Sequence, residues 1–163
     1  MEGVNYMKQN IDSIDVLVVG GGPAGLCAAL AAANMGAKVI VIDENDMVGG
    51  QLVKQTHKFF GSEKQYAGTR GIVIGTKLVE EVKNNENIKL INNGSVMGFY
   101  PHDGRVVTYV KDDRYKKIRA EKVIFATGAS ERMIPFANND LPGIYGAGGV
   151  QTLMNVYGIV PGN

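Results

Sequence analysis

The 163-residue sequence has few of the residues that build disulfides, metal sites or charged binding surfaces. It contains one cysteine, two histidines and no tryptophan, and its formal net charge is +1. The single cysteine, Cys27, excludes a disulfide within the chain, and no cluster of histidine, cysteine and carboxylate has the spacing of metal ligands. The small net charge argues against nucleic acid and against a membrane surface as partners. We therefore expect neither of these partners and no metal.

We also expect no secretory leader, because residues 1–13 are polar and have no apolar core. Together with the lone cysteine this predicts a cytoplasmic protein. One uncharged stretch, 16–37, is long enough to cross a bilayer. Its run of three glycines and a proline, starting at Gly20, would break a membrane helix in the middle. We therefore expect a strand, a turn and a helix in this stretch.

Glycine, by contrast, is abundant, with 22 residues, about twice the usual share of roughly 7%. The length suits one domain, for which we expect a flexible lead-in over 1–13 and a single domain over 14–163. The start of that domain is typical of a βαβ unit: a strand at 15–19, a helix at 23–35 and a strand at 38–42.

The remaining pattern predicts a helix over 75–83 and a third parallel strand over 87–91. Alternating apolar and polar residues over 95–120, with turns at Asp103-Gly104 and Asp112-Asp113, predict an antiparallel meander that lies over the sheet. A last apolar strand is expected over 122–126. The predicted fold class is α/β, a Rossmann-like parallel sheet with helices and an antiparallel β-meander crossover.

The motif Gly20-x-Gly22-x-x-Gly25 stands between the first strand and the first helix, which is the context that a dinucleotide fingerprint requires. Gly20 allows a sharp turn out of the strand, and Gly22 lets the main chain approach a pyrophosphate. Gly25 lets the helix lie close to the sheet. The helix begins at Pro23 and Ala24, whose neighbouring N–H groups attract phosphate.

A carboxylate is expected at the end of the second strand to accept hydrogen bonds from a ribose diol. Asp43 follows the apolar run 39–42 and is the first choice, with Glu44 as the competitor. Because neighbouring residues of a strand point to opposite faces, only one of the two is expected to make the bidentate contact.

These residues resemble the flavoproteins with two dinucleotide-binding domains, and within them the larger subunits of sarcosine, opine and proline oxidizing complexes. The resemblance runs from about Ile14 to the end of the chain. It rests on the segments 19–25, 43–44 with 49–51, 126–129 and 139–144.

The resemblance implies that the chain binds FAD, with ADP, ATP or NAD as alternatives in the same site. It implies that the first motif holds the pyrophosphate, the acid holds the ribose, and the Gly-Gly segment passes near the flavin. Val96 resembles the position whose main chain meets adenine. The expected cofactor-binding residues are Gly20, Gly22, Pro23, Ala24, Gly25, Asp43, Glu44, Gly49, Gly50, Gln51, Val96, Thr127 and Gly128.

Members of this group continue into a second glycine fingerprint for NAD(P)H and then return to complete the FAD domain. This sequence stops near the start of that second unit, so we expect an incomplete FAD domain that works with a partner subunit or a missing C-terminal half. The expected function is the FAD-binding portion of a flavin-dependent oxidoreductase that passes hydride between NAD(P)H or an amine and flavin. The alternative is a nucleotide-binding subunit without catalysis, and the catalytic residues are unknown.

The sequence also allows predictions of the environment of three further residues. Cys27 is expected to be a buried small hydrophobic residue, and the absence of Cys-x-x-Cys excludes disulfide reductase chemistry for this chain. His57 faces either a flavin or solvent, and His102 is expected to be exposed beside a hairpin turn.

Overall fold

A computed structural model describes residues 11–162 of the chain. The predicted lead-in at 1–13 falls mostly outside that range, and the first strand begins at Asp12, two residues before the expected start of structure. The elements are β1 (Asp12–Val19), α1 (Pro23–Asn34), β2 (Val39–Ile42), α2 (Gly71–Lys83), β3 (Ile88–Ile91), β4 (Ser95–Tyr100), β5 (Val106–Lys111), β6 (Arg114–Phe125) and α3 (Ala147–Asn155). Short 3-10 helices span Gly50–Lys54, Glu63–Gln65 and Pro101–Asp103.

The predicted βαβ unit is present as β1, α1 and β2. The two strands are parallel, with Val16 opposite Val39 and Val19 opposite Ile42. All four residues of β2 are buried, because helices cover one face of the sheet and the meander covers the other. β3 pairs with β2 in parallel, as expected.

All six strands form one hydrogen-bonded sheet in the order β3-β2-β1-β6-β5-β4. The meander turns where it was predicted, between β4 and β5 and between β5 and β6. The third strand of the meander and the last parallel strand form one continuous strand, β6. The prediction of two separate elements, a meander over 95–120 and a strand over 122–126, is therefore wrong. β6 pairs with β5 in antiparallel fashion over Arg114–Arg119 and with β1 in parallel over Ile118–Phe125.

The side chains of the meander pack over one face of the parallel strands, which confirms the predicted placement. Tyr109 of β5 and Ile118 of β6 share a buried cluster with Leu17 of β1 and Ile42 of β2. The alternate residues of the same strands, such as Val18, point to the other face and pack against α1. The alternation of side chains along each strand therefore separates two cores, one on each side of the sheet.

Helix α1 buries Gly25, Leu26, Ala29 and Ala33, which recur at the spacing of one helix face. Cys27 lies two residues from Gly25 and from Ala29 and therefore on the opposite side, where it is exposed. The expectation that Cys27 is buried is wrong, because an Ala-rich helix does not reveal which of its faces meets the sheet.

Two helices differ from the sequence predictions. α2 begins at Gly71 instead of residue 75, and the N–H of Gly71 donates to the carbonyl oxygen of His57. α3 lies in the tail, where the glycine-rich sequence predicted no element. No helix within residues 11–162 combines the length and apolarity needed to cross a bilayer.

Candidate dinucleotide-binding site

A cleft of about 690 Å³ opens at the carboxyl ends of β1, β2 and β6. Ligands of open α/β sheets bind at this edge, where loops leave the strands. The walls come from the glycine turn after β1, the loop after β2, the Gly50–Lys54 helix, the start of β4 and the segment after β6. The lining residues are Val19, Gly20, Gly22, Pro23, Ala24, Ile42, Asp43, Glu44, Asn45, Gly50, Gln51, Gly94, Val96, Ala126, Thr127, Gly128, Ala129 and Ser130.

Two glycines of the fingerprint are required by the fold itself. Gly20 has a φ of +105°, and a Cβ at this position would overlap the carbonyl oxygen of Ala126. A Cβ on Gly25 would overlap the carbonyl oxygen of Gly20. These contacts let α1 pack closely against the turn and bring the end of β6 beside the end of β1.

Gly22 has no such internal reason to be glycine. Its φ of −74° and ψ of −179° suit any residue, and the nearest atom to a Cβ built there is the Cα of Gly50 at 3.8 Å. The space in front of Gly22 is therefore left open by the chain and faces the cleft. A main chain that is bare on this side can approach a pyrophosphate closely.

The amino end of α1 adds donors at the same place. The first helical bond runs from the N–H of Leu26 to the carbonyl oxygen of Gly22 at 2.9 Å, and no side chain caps the helix. Pro23 has no N–H, so the N–H groups of Ala24 and Gly25 remain for an anion. The positive end of the helix dipole favours negative charge at this point. The residues present thus fit the pyrophosphate of a dinucleotide.

Asp43 joins the end of β2 to the glycine turn. Its side chain is 8% exposed, and its Oδ2 accepts a hydrogen bond from the N–H of Gly21 at 2.6 Å. Its Oδ1 accepts two bonds from Asn45, from the main-chain N–H at 2.8 Å and from Nδ2 at 3.0 Å. A carboxylate accepts about four hydrogen bonds, so one acceptor position of Asp43 remains.

Glu44 is exposed and lines the same cleft as Asp43. β2 ends at Ile42, so the alternation of faces that was expected to direct only one of the acids toward a ligand does not apply beyond that residue. Both acids therefore line the cleft, and which of them makes the bidentate contact with a ribose stays a prediction.

The loop before β4 closes one part of the cleft. The N–H of Gly94 donates to the carbonyl oxygen of Asp43 at 2.9 Å, and a Cβ on Gly94 would lie 2.9 Å from Ile42 and 3.6 Å from Tyr109. Burial, and to a lesser extent the charge of Asp12, raise the pKa of Tyr109 above its usual value of 10.0. Val96 follows this loop and lines the cleft, and its contact with adenine stays a prediction.

The second glycine segment lies against the first. The N–H of Gly49 donates to the carbonyl oxygen of Gly21 at 2.9 Å. Gly50 has a φ of +55°, and a Cβ there would lie only 2.8 Å from the Cα of Gly22. Gln51 is exposed at the cleft beside it. Gly49 itself is placed behind this surface and does not line the cleft.

Eleven of the thirteen predicted cofactor residues line the cleft, and the exceptions are Gly25 and Gly49. Both of these glycines serve the close approach of main-chain segments. The cofactor-binding residues expected from the sequence did not include the other seven lining residues, Val19, Ile42, Asn45, Gly94, Ala126, Ala129 and Ser130. Asn45 follows the two acids, and Ala129 and Ser130 follow the predicted Thr127-Gly128, so proximity in sequence was the available signal.

The histidines lie outside the cleft. His57 is exposed, its ring stacks on Phe59 with 5.1 Å between ring centres, and it is not among the residues that line the cleft. A contact between His57 and a flavin stays a prediction. His102 is exposed beside the turn, which confirms the prediction for it. Among residues 11–162, no three histidine, cysteine or carboxylate side chains are grouped as metal ligands would be.

A second cleft, of about 740 Å³, lies between α2 and β3. Its walls are largely aliphatic, with charged side chains such as Glu80 and Lys83 among them. None of the thirteen predicted residues lines it, and neither does any residue of the glycine turn after β1. The chemistry for phosphate therefore lies in the smaller cleft.

Over residues 14–161 the sequence matches the family of pyridine nucleotide-disulphide oxidoreductases. The chain belongs to this family, because the match covers most of its length. The identification agrees with the glycine turn, the free helix amino end and the acids at the end of β2.

Among its relatives, the alpha chain of sarcosine oxidase from Rhizobium meliloti (strain 1021) is 33% identical over 162 residues, covering 91% of this chain and 16% of the relative. An opine oxidase subunit from Agrobacterium tumefaciens (strain Ach5) is 31% identical, covering 92% of this chain and 31% of the relative. The crystal structure of L-proline dehydrogenase from P. horikoshii aligns with a TM-score of 0.83 at 30% identity, covering 95% of this chain and 31% of that chain. The chain thus spans less than a third of the length of these relatives.

These comparisons confirm the resemblance and the Rossmann-like fold that the sequence predicted, and they agree with its assignment to a family of oxidoreductases. They also support FAD as the cofactor of the family. Two of the relatives are named as subunits of oxidases. These names agree with the prediction of a partner subunit.

Proposed function

We propose that this chain is the FAD-binding portion of a larger flavin-dependent oxidoreductase, and that its cleft holds the ADP half of FAD. The observation that carries the proposal is the open space in front of Gly22, where a Cβ would meet nothing closer than 3.8 Å. The start of α1, where no side chain caps the helix, borders the same cleft through Pro23 and Ala24. A pyrophosphate uses both features at once.

The ribose diol is shared between two carboxylates in this proposal. Asp43 has one acceptor position left after its three bonds within the chain, and it is nearly buried. The exposed carboxylate of Glu44 accepts the other hydroxyl hydrogen. Val96 and Gly94 then border the adenine. This division explains why the end of β2 carries two acids in succession.

FAD, when bound, supplies the hydride acceptor, and the chain supplies position and a fixed electrostatic environment. The donors of the glycine turn hold the negative pyrophosphate. Thr127, Gly128 and Gln51 border the part of the cleft beyond the glycine turn. The reaction partner of the flavin, NAD(P)H or an amine, is bound by parts of the whole protein outside this cleft.

The names of the three relatives contain sarcosine, opine and L-proline, and each of these is an amino acid with a substituted nitrogen. We propose an amine of this class for the whole protein, with a partner protein in the complex and a cytoplasmic location. Support for the partner comes from the oxidase subunits among the relatives.

The test is reconstitution of the purified 163-residue chain with FAD, ADP, ATP and NAD, followed by calorimetry and a visible spectrum. We expect FAD to bind with the highest affinity, to show a flavin band after gel filtration and to be displaced by ADP. Gly22→Val, a change that fills the open space, is the matched control and is expected to bind none of the four. Tighter binding of ADP, ATP or NAD than of FAD would contradict the proposal and favour a non-catalytic nucleotide-binding protein.

A further inference from the structure

Helix α3 contacts both sides of the mouth of the cleft, although the sequence predicted no element there. We call the two sides the lips: the first is Gly50–Lys54, and the second is 127–131, the segment after β6. Gly50 and Gln51 of the first lip and Thr127 to Ser130 of the second line the cleft. α3 therefore links the two lips.

The first lip is tied to α3 through Lys54. Its ammonium donates to Oγ1 of Thr152 at 3.1 Å and, more weakly, to the carbonyl oxygen of Gly148 at 3.4 Å. Its main-chain carbonyl oxygen accepts a bond of 2.7 Å from Nδ2 of Asn155. These groups are partly buried and lie 94 to 101 residues apart in the sequence.

The second lip is tied to the amino end of the same helix. Oε2 of Glu131 accepts a bond of 3.0 Å from the N–H of Gly148, and it supplies the anion that the positive end of a helix favours. A Cβ on Gly146 would overlap the Glu131 carboxylate, so glycine at 146 allows this approach. The residue Gly148 thus accepts a bond from one lip and donates a bond to the other.

A series of contacts between neighbouring segments orders the cleft. Gly94 bonds to Asp43, Asp43 bonds to Gly21, and Gly50 lies against Gly22. Within residues 11–162, the hydrogen bonds from α3 meet this series of contacts beyond Gly50, at Lys54. A ligand that ends at its pyrophosphate needs the first contacts but not α3, whereas a longer ligand extends between the lips.

We propose that α3 is a clasp, and that Lys54, Asn155 and Glu131 are positioning residues that hold the two lips at the spacing that the part of FAD beyond its pyrophosphate requires. This inference rests on the proposed function, because it takes FAD as the ligand. When the clasp opens, the fraction of molecules with the lips in place falls, and the apparent affinity falls by the same factor.

The experiment compares the affinities of FAD and ADP for the parent chain and four variants. Asn155→Ala and Lys54→Met remove donors of the clasp, and each is expected to weaken FAD binding about three- to tenfold, the effect of one lost hydrogen bond. ADP binding is expected to change by less than about twofold, since ADP does not need the lips. Lys54→Arg keeps the charge and the donors and is expected to retain FAD binding. Gln151→Ala, on the same helix, is the matched control and is expected to leave both affinities unchanged.

A second readout needs no ligand. Amide hydrogen exchange over 51–55 is expected to be faster in Asn155→Ala and Lys54→Met than in the parent and Gln151→Ala chains, because the first lip is released. Unchanged exchange together with unchanged FAD affinity would overturn the clasp. An equal loss of FAD and ADP binding with a lower melting temperature would also overturn it, since α3 would then stabilise the whole fold. If the parent chain bound no FAD, the proposed function would fail, and the exchange result alone would decide on the clasp.

Discussion

The N–H of Gly21 donates a buried hydrogen bond of 2.6 Å to Oδ2 of Asp43, which lies 22 residues further along the chain. The bond joins the glycine turn after β1 to the end of β2, the two features from which the sequence predicted a nucleotide site. Asp43 therefore has a structural partner in addition to the ligand that sequence reasoning assigned to it.

The first prediction separates the two acids. Asp43→Ala leaves the buried N–H of Gly21 without an acceptor, and we expect a loss of about 1–3 kcal/mol in the free energy of unfolding. The same variant is expected to weaken FAD binding. Glu44→Ala removes an exposed carboxylate and is expected to weaken FAD binding by about 1–3 kcal/mol with no change in stability.

Urea unfolding and calorimetry with FAD measure the two effects. Glu86→Ala, which changes an exposed acid outside the cleft lining, serves as the control for net charge. If Asp43→Ala reduced binding and left the unfolding free energy unchanged, the bond to Gly21 would carry no stability and its structural role would be refuted.

The second prediction concerns two glycines of the same motif. Gly25→Ala places a Cβ on the carbonyl oxygen of Gly20, and we expect it to cost about 3 kcal/mol of stability, the upper end of the usual range for overpacking. Gly22→Ala places its Cβ in open space and is expected to leave stability nearly unchanged while weakening FAD binding. Thermal unfolding and calorimetry distinguish them, and equal destabilisation by both variants would contradict the assignment of Gly22 to the ligand.

Much of this site could be predicted because its geometry is local. A glycine turn between a strand and a helix, and an acid at the end of the next strand, are fixed by a few neighbouring residues, and parallel pairing of β1 and β2 brings them together. The comparisons confirm the family and the fold that these features indicated. The role of each cofactor residue stays a prediction.

The features that could not be predicted depend on contacts distant in sequence. The fusion of two strands into β6 follows from its pairing with both β1 and β5. The exposure of Cys27 depends on which face of α1 meets the sheet. The place of α3 depends on Lys54, which Asn155 contacts across 101 residues of sequence. A pattern within a short window carries no information on any of these.

The third prediction uses the pKa of Tyr109, which burial and then the charge of Asp12 raise above 10.0. The folded chain binds the phenolic proton more tightly than the unfolded chain does. Its contribution to stability is therefore fully present below pH 10.0, the unfolded value, and is lost as the pH rises through the higher folded value. We expect Tyr109→Phe to lose less stability than the parent chain between neutral pH and a pH above 10.0.

Urea unfolding over this pH range measures the slope. Tyr115→Phe changes an exposed ring, 48% accessible, and is the control. An equally steep decline in the parent and in Tyr109→Phe would show that another group governs the alkaline limit.

The last prediction is that this chain, loaded with FAD, shows no oxidation of NADH or NADPH above that of free flavin. The sequence holds one glycine fingerprint between a strand and a helix, and one such unit binds one dinucleotide. With FAD in it, no second unit of this chain orders a nicotinamide against the flavin. Hydride transfer needs the reacting atoms held at roughly 3–3.5 Å, and this positioning contributes about 7–11 kcal/mol to lowering the barrier. Anaerobic reduction followed in the visible band is the measurement, with free FAD at equal concentration as the control. Slow reduction that rises linearly with nicotinamide concentration agrees with the prediction, whereas rapid and saturable reduction would reveal a nicotinamide site built by this chain or by a pair of its copies.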